Sequence, residues 1–278
     1  MRRSGKYAYV NGLHCVTGWS ATGASSAARY SASCTPDGSA MSEGNENWTG
    51  SIQGVGYDAL FPEEDDFAFI GVASAKSGEI VNYEGDILVE QTVIQIPVAQ
   101  GGPITWESNF GVQGDLTKTA TPAYLDPTRD HAPSAKNGQV HIEGTVDSGT
   151  FTELDDIQNI TITLRRPAVV SVDDGVTYRE SGNLEADISF VINTDDMDVS
   201  LYALNAVKRV RIYVSATEYF EFDAIMFTGL SDFRVVRGPQ PQMIGYTVNG
   251  GWTASRETSA TLGQILLPDG TELYGEES

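Results

Sequence analysis

Ile87-Leu88-Val89-Glu90-Gln91-Thr92-Val93-Ile94-Gln95-Ile96-Pro97-Val98 alternates apolar and polar residues from Thr92 onward. Successive side chains of a strand point to opposite faces, so this pattern predicts a β-strand with one face to pack and one to meet solvent or a neighbour. Pro97 has no amide hydrogen to give to a ladder and limits pairing near the end. The same period of two returns in Asn159-Ile160-Thr161-Ile162-Thr163-Leu164 and in Lys208-Arg209-Val210-Arg211-Ile212-Tyr213-Val214. Residues 218–227, 233–237 and 243–248 are rich in aromatic and β-branched side chains and lie a few residues apart, which predicts antiparallel meander or hairpin strands. Asp173-Asp174-Gly175, between Val172 and Val176, reads as a hairpin turn because Asp and Gly tolerate positive φ. The one helix-like stretch is residues 200–207, whose apolar positions also fit a strand edge. The expected fold is therefore all-β, two tandem sandwich or barrel domains with at most a short helix in each.

A chain of 278 residues exceeds the usual single-domain size, and two domains of about 140 residues are the natural division. The expected bounds are 1–120, a linker at 121–138 that holds Pro122, Pro127 and Pro133, and 139–278. The balance of 38 acidic against 17 basic residues gives a net charge of −21, spread through both halves. Such a chain repels duplex nucleic acid rather than gripping it. Cys15 and Cys34 flank a Gly/Ser/Ala-rich loop and permit one disulfide at most. No apolar run reaches the length of a membrane helix, and Met1-Arg2-Arg3 has no apolar segment behind it, so neither a membrane partner nor a secretory signal is expected.

Three landmarks recur at a nearly constant spacing. Gly44-Asn45 returns as Gly182-Asn183, Tyr83-Glu84-Gly85-Asp86-Ile87 as Phe222-Asp223-Ala224-Ile225, and Gly101-Gly102-Pro103-Ile104-Thr105-Trp106 as residues 240–246, a Pro turn followed by Ile-x-aromatic. Spacings near half the chain favour a tandem duplication over coincidence. A duplicated β-domain without an evident active site suits a protein that fills two positions of a ring with one chain.

Motifs for chemistry are missing. His14, His131 and His141 lack the paired spacing that presents two imidazoles to one metal. There is no nucleophile elbow, and no Gly-rich phosphate loop. Glu63-Glu64-Asp65-Asp66 and Asp195-Asp196-Met197-Asp198 lack the spacing of a calcium loop and read as solvated. No catalytic, cofactor-binding or metal residue is expected, and no cofactor. Arg165-Arg166 and Lys208-Arg209-x-Arg211 stand out as cations in an acidic half, either solvated or reserved for pairing between subunits.

Gly44-Asn45-Glu46-Asn47-Trp48-Thr49-Gly50 followed by Gly56-Tyr57 resembles the Gly-Asn-x-x-Trp-x-Gly segment and Tyr-Gly turn of phage tail-tube proteins. The likeness continues through Tyr83-x-Gly85, the long alternating strand, a Gly-Gly-x-Ile turn and an aromatic strand to Phe110, covering roughly residues 10–116. The second half departs from it, with Ala186 in place of the tryptophan and Ala224 in place of Gly85. The resemblance implies a virion structural protein, assembled in the host cytoplasm, that joins edge to edge with other copies and with other tail proteins. Rings would be hexameric, or trimeric pseudo-hexamers for a double subunit, stacked into a channel whose carboxylates let DNA slide without specific binding. The segments 87–98 and 208–214 would pair across subunits, and loop 21–38 would touch the next ring. Baseplate, neck and capsid-decoration roles fit the same residues. So does a glycan-binding sandwich using Trp19, Trp48, Trp106 or Trp252, and more remotely a glycoside hydrolase.

Overall fold

The computed structural model describes residues 2–5, 7–10, 16–25, 28–30, 40–42, 46–56, 59–62, 65–74, 80–119, 135–143, 149–173, 176–193, 208–214, 219–232 and 241–248. Residues 200–207 and 233–237, residues 63–64 of the first acidic cluster, 195–198, Cys15, Cys34, His14, His131, Trp252, and residues 121–134 of the expected linker lie outside this set. The described chain is all-β, with one 3-10 turn at Ala135–Asn137 and antiparallel pairing throughout.

Nine strands precede that turn: β1 (Arg2–Gly5), β2 (Tyr7–Val10), β3 (Val16–Ser25), β4 (Ala28–Tyr30), β5 (Ala40–Ser42), β6 (Glu46–Val55), β7 (Phe67–Ser74), β8 (Ile80–Ile96) and β9 (Thr105–Thr119). After it come β10 (Gln139–Glu143), β11 (Phe151–Leu154), β12 (Ile157–Arg165), β13 (Ala168–Asp173) and β14 (Val176–Ser181). The last are β15 (Glu185–Asn193), β16 (Lys208–Tyr213), β17 (Tyr219–Asp232) and β18 (Pro241–Val248). β13 pairs only with β14 and β4 only with β5; the others form one 14-stranded sheet.

Within that sheet each half has the same order of neighbours. The first runs β2-β7-β8-β9-β6-β3 and the second β10-β16-β17-β18-β15-β12. Two of their irregularities coincide as well, while the shifts between Glu84 and Asp86 and between Lys208 and Val210 have no counterpart. Between β3 and β6 the register slips after Val16 opposite Gly54, resuming at Gly18 opposite Gln53. Between β12 and β15 it slips after Ile157 opposite Ile192, resuming at Asn159 opposite Val191. The slip between Val89 and Gln91 against β9 has its counterpart between Phe227 and Gly229 against β18. A bulge of this kind re-aims a strand and is set by the local sequence, so matched bulges mean matched strand paths. The hairpins β4–β5 and β13–β14 sit at equivalent places, each between the strands that carry the first slip.

The two halves are joined by backbone pairing. One edge of β8 is shared: residues 80–87 bind β7, and residues 91–96 bind β12, with Leu164 opposite Thr92 and Ile162 opposite Ile94. β8 and β12 each have a second partner on the far side, β9 and β15. The segment 87–98, expected to pair between subunits, is thus largely spent within the chain, and 208–214 is likewise held between β10 and β17.

The first half rolls up on itself. β3 and β7 lie far apart along the pairing order, yet Trp19 packs edge-on against Phe69 with centroids 5.4 Å apart, and its Nε1 donates to the Val72 carbonyl at 3.1 Å. Beneath β8 and β9 runs the buried stretch 59–62, whose Leu60 carbonyl accepts from Thr92 Oγ1 and from Ser108 Oγ, the latter at 2.9 Å. These two hydroxyls are buried and satisfied, which removes the penalty of placing them in the core. Phe61 meets Phe220 of the second half at 6.3 Å, so one apolar core serves both.

Candidate assembly surface

Three surfaces follow from this fold: the outer face of the continuous sheet, the β13–β14 hairpin, and the strand edges. The sheet around the junction has a clean two-sided character. On its inner face, Ile52 and Gly54 of β6, Trp106 and Ser108 of β9, Thr92 and Ile94 of β8, Ile162 and Leu164 of β12, and Ala186 and Ile188 of β15 are all buried. The facing register runs Gly54, Trp106, Ile94, Ile162, Ile188 across five strands. Gly54 is required there, because a Cβ at that point would lie inside the Trp106 indole. One position along, the outer lane reads Gln53, Glu107, Val93, Thr163, Asp187, exposed or half-buried throughout. A smooth, mostly polar lane crosses from one half to the other without a break.

The hairpin β13–β14 belongs to the second half but lies on the first. Asp173 faces Val176 at the end of the ladder, and the two residues between them in sequence are the Asp174-Gly175 that the sequence marks. β14 alternates: Thr177 and Arg179 are buried, and Val176, Tyr178 and Glu180 are exposed. Thr177 Oγ1 donates to the Glu46 carbonyl at 2.9 Å. Gln113 clamps the Arg179 backbone, its Oε1 accepting from the amide and its Nε2 donating to the carbonyl, both at 2.7 Å. The Arg179 guanidinium pairs with Glu90 and donates to Asn47 Oδ1 at 2.6 Å. It lies directly over Gly111, where any Cβ would collide with it. Val169, Val176 and Tyr178 stand on the opposite face of the hairpin, whereas Val170 and Val172, paired with Arg179 and Thr177, share the face of those buried residues; all five are 40 to 64% exposed, the large apolar side chains most open to solvent among the described residues. β-branched residues on an exposed hairpin are a contact surface in search of a partner.

The basic residues are largely engaged within the chain. Arg165 pairs with Asp187 at 2.6 Å, Arg211 with Glu221 at 2.6 Å, and Arg209 with Glu143 at 2.7 Å. Arg166 donates from Nη1 to Ser181 Oγ at 3.2 Å. Arg165, Arg209 and Arg211 thus meet carboxylates on neighbouring strands of the same sheet. Glu143 is buried, takes two contacts from the Arg209 side chain and a third from the Gly149 amide at 3.0 Å. The Arg209 hydrogen bonds hold its carboxyl down to about 2 from an ordinary 4.5, against the opposing effect of burial. His141 sits on β10 against Tyr213 with rings 4.6 Å apart; burial lowers its pKa, with Arg211 adding to this and Glu153 opposing.

For other chemistry the described residues offer little. No group of three or more His, Cys, Asp and Glu among them is placed to hold a metal ion. No helix among them is long and apolar enough to cross a membrane. Trp19, Trp48 and Trp106 are buried, which takes away three of the four platforms a sugar ring would stack on. Asp65 and Asp66 are exposed, with Asp66 accepting from Gln113 Nε2 at 3.1 Å.

No family model matches the sequence, and no curated protein does. Among solved structures the chain is similar to a protein described as "Tail of empty GTA particle computed with helical refinement, C6 symmetry". The identity is 16%, the TM-score 0.34, and the likeness covers 41% of this chain and 91% of that one.

Proposed function

We propose that this chain is a tail-tube subunit of a virion, a double-domain protein of which three copies close into a pseudo-hexameric ring. The observation that carries this reading is the β8–β12 junction between two halves of like strand order and like bulges. Two equivalent units joined edge to edge by an antiparallel ladder are two neighbours of a ring, and repeating the same joint between chains closes it. The sequence likeness of residues 10–116 to tail-tube proteins points the same way. The polar lane through Gln53, Glu107, Val93, Thr163 and Asp187 becomes the inner wall, and a net charge of −21 keeps phosphates from adhering to it. The apolar hairpin β13–β14, with β4–β5 at the equivalent place, meets the next ring and buries its valines there.

Mass in solution tests the stoichiometry. Assembled protein should weigh three times the 29.9 kDa chain, or whole multiples of that trimer. A particle that stays monomeric at high concentration overturns the ring and favours a decoration role.

A further inference from the structure

The strand edges carry a more specific reading, which rests on the ring just proposed. Matching the bulges aligns Val89 with Phe227 and Gln91 with Gly229 on one side of the joint, and Ile157 with Val16 and Asn159 with Gly18 on the other. Carried over these pairs, the observed partners Gln91 and Arg165, Thr92 and Leu164, Val93 and Thr163, Ile94 and Ile162 become Gly229 and Ala24, Leu230 and Gly23, Ser231 and Thr22, Asp232 and Ala21. β17 has an edge to offer. Its residues 219–225 bind β16, as residues 80–87 of β8 bind β7, and beyond Ile225 no strand among the described residues pairs on that side.

The β3 edge is different, because β1 already lies on it. Arg2 faces Thr22, Arg3 faces Ala21, Ser4 faces Ser20 and Gly5 faces Trp19, antiparallel, in the slot that β8 fills on β12. β1 is four residues long, Arg-Arg-Ser-Gly, with low strand propensity and two charges. A short charged strand is how a sheet blunts an edge that would otherwise recruit another chain. We infer that β1 is a removable guard: it covers the β3 edge of the free subunit, and the 229–232 end of β17 from a second copy displaces it when the ring closes. The exchange trades one four-residue ladder for another whose strand continues from a 14-residue element already paired to β16 and β18, so it is favourable when the incoming strand is already oriented and rare otherwise. Assembly would thereby wait for a correctly placed neighbour instead of proceeding by any edge contact.

Thr22 is exposed and serves as a common reporter in a background with Cys15→Ser and Cys34→Ser. Arg2→Cys with Thr22→Cys locks β1 in place when oxidised, and this protein should lose assembly and regain it on reduction. Thr22→Cys with Ser231→Cys should cross-link between chains in assembled particles and stay uncross-linked in dilute monomer. Oxidised, locked protein that assembles like its reduced form overturns the guard. So does a particle that assembles but gives no 22–231 cross-link between chains, which leaves the ring itself intact. Reduced protein of either variant and the parent chain all failing to assemble instead removes the ring reading on which the inference stands.

Discussion

Arg179 shows how one residue can hold two halves together and be invisible to local inspection. Its partners Asn47 and Glu90 lie 132 and 89 positions away, and its guanidinium fits only because residue 111 has no Cβ. Gly111→Ala should cost about 2 kcal/mol by overpacking and by pulling the guanidinium off its partners, read as a lower urea midpoint with unchanged m. Glu143 supplies a pH signature. Its carboxyl is held near 2 against 4.5 when free, so the stabilisation is complete above 4.5 and fades as pH falls toward 2. Glu143→Gln should lose about 2 kcal/mol at pH 7 and show a shallower loss of stability between pH 4.5 and 2 than the parent. Equal slopes in that window would mean the pair with Arg209 does not form.

At the scale of elements, the β13–β14 hairpin separates folding from assembly. Replacing Val169 and Tyr178, on the face turned away from Arg179, with Ser removes exposed apolar surface, so monomer stability should stay within about 0.5 kcal/mol of the parent. Rings should still form, and stacking of rings into tubes should be lost, as seen by sedimentation. Strands themselves were legible because alternation is local: Thr92–Ile96, Asn159–Leu164 and Lys208–Tyr213 all fall inside strands of the sheet. Their partners were not, since nothing in the alternation of 87–98 says that its edge is taken by residues 160–165. The in-chain partners of Arg165, Arg209 and Arg211 were not legible for the same reason: cross-strand carboxylates sit beside them only after pairing. The third sequence landmark illustrates the limit again. It sets Trp106 against Tyr246, whereas the register puts Tyr246 opposite Phe227 and Phe110 opposite Val89, making Phe110 the structural counterpart. A motif match tolerates a slip of a whole strand pair, but a ladder does not.

For the whole molecule, the proposed channel puts the polar lane of an acidic chain against DNA, which predicts passage without binding. Tubes of Glu107→Lys, which reverses a charge within that lane, should retain duplex DNA in a salt-sensitive way, whereas parent tubes should not bind it at low ionic strength. Negative-stain electron microscopy of the purified protein at high concentration tests the central claim most directly. The account predicts rings with a central hole and six lobes from three chains, stacking into tubes. Uniform particles with no hole and no higher assembly, at any concentration reached, would contradict it.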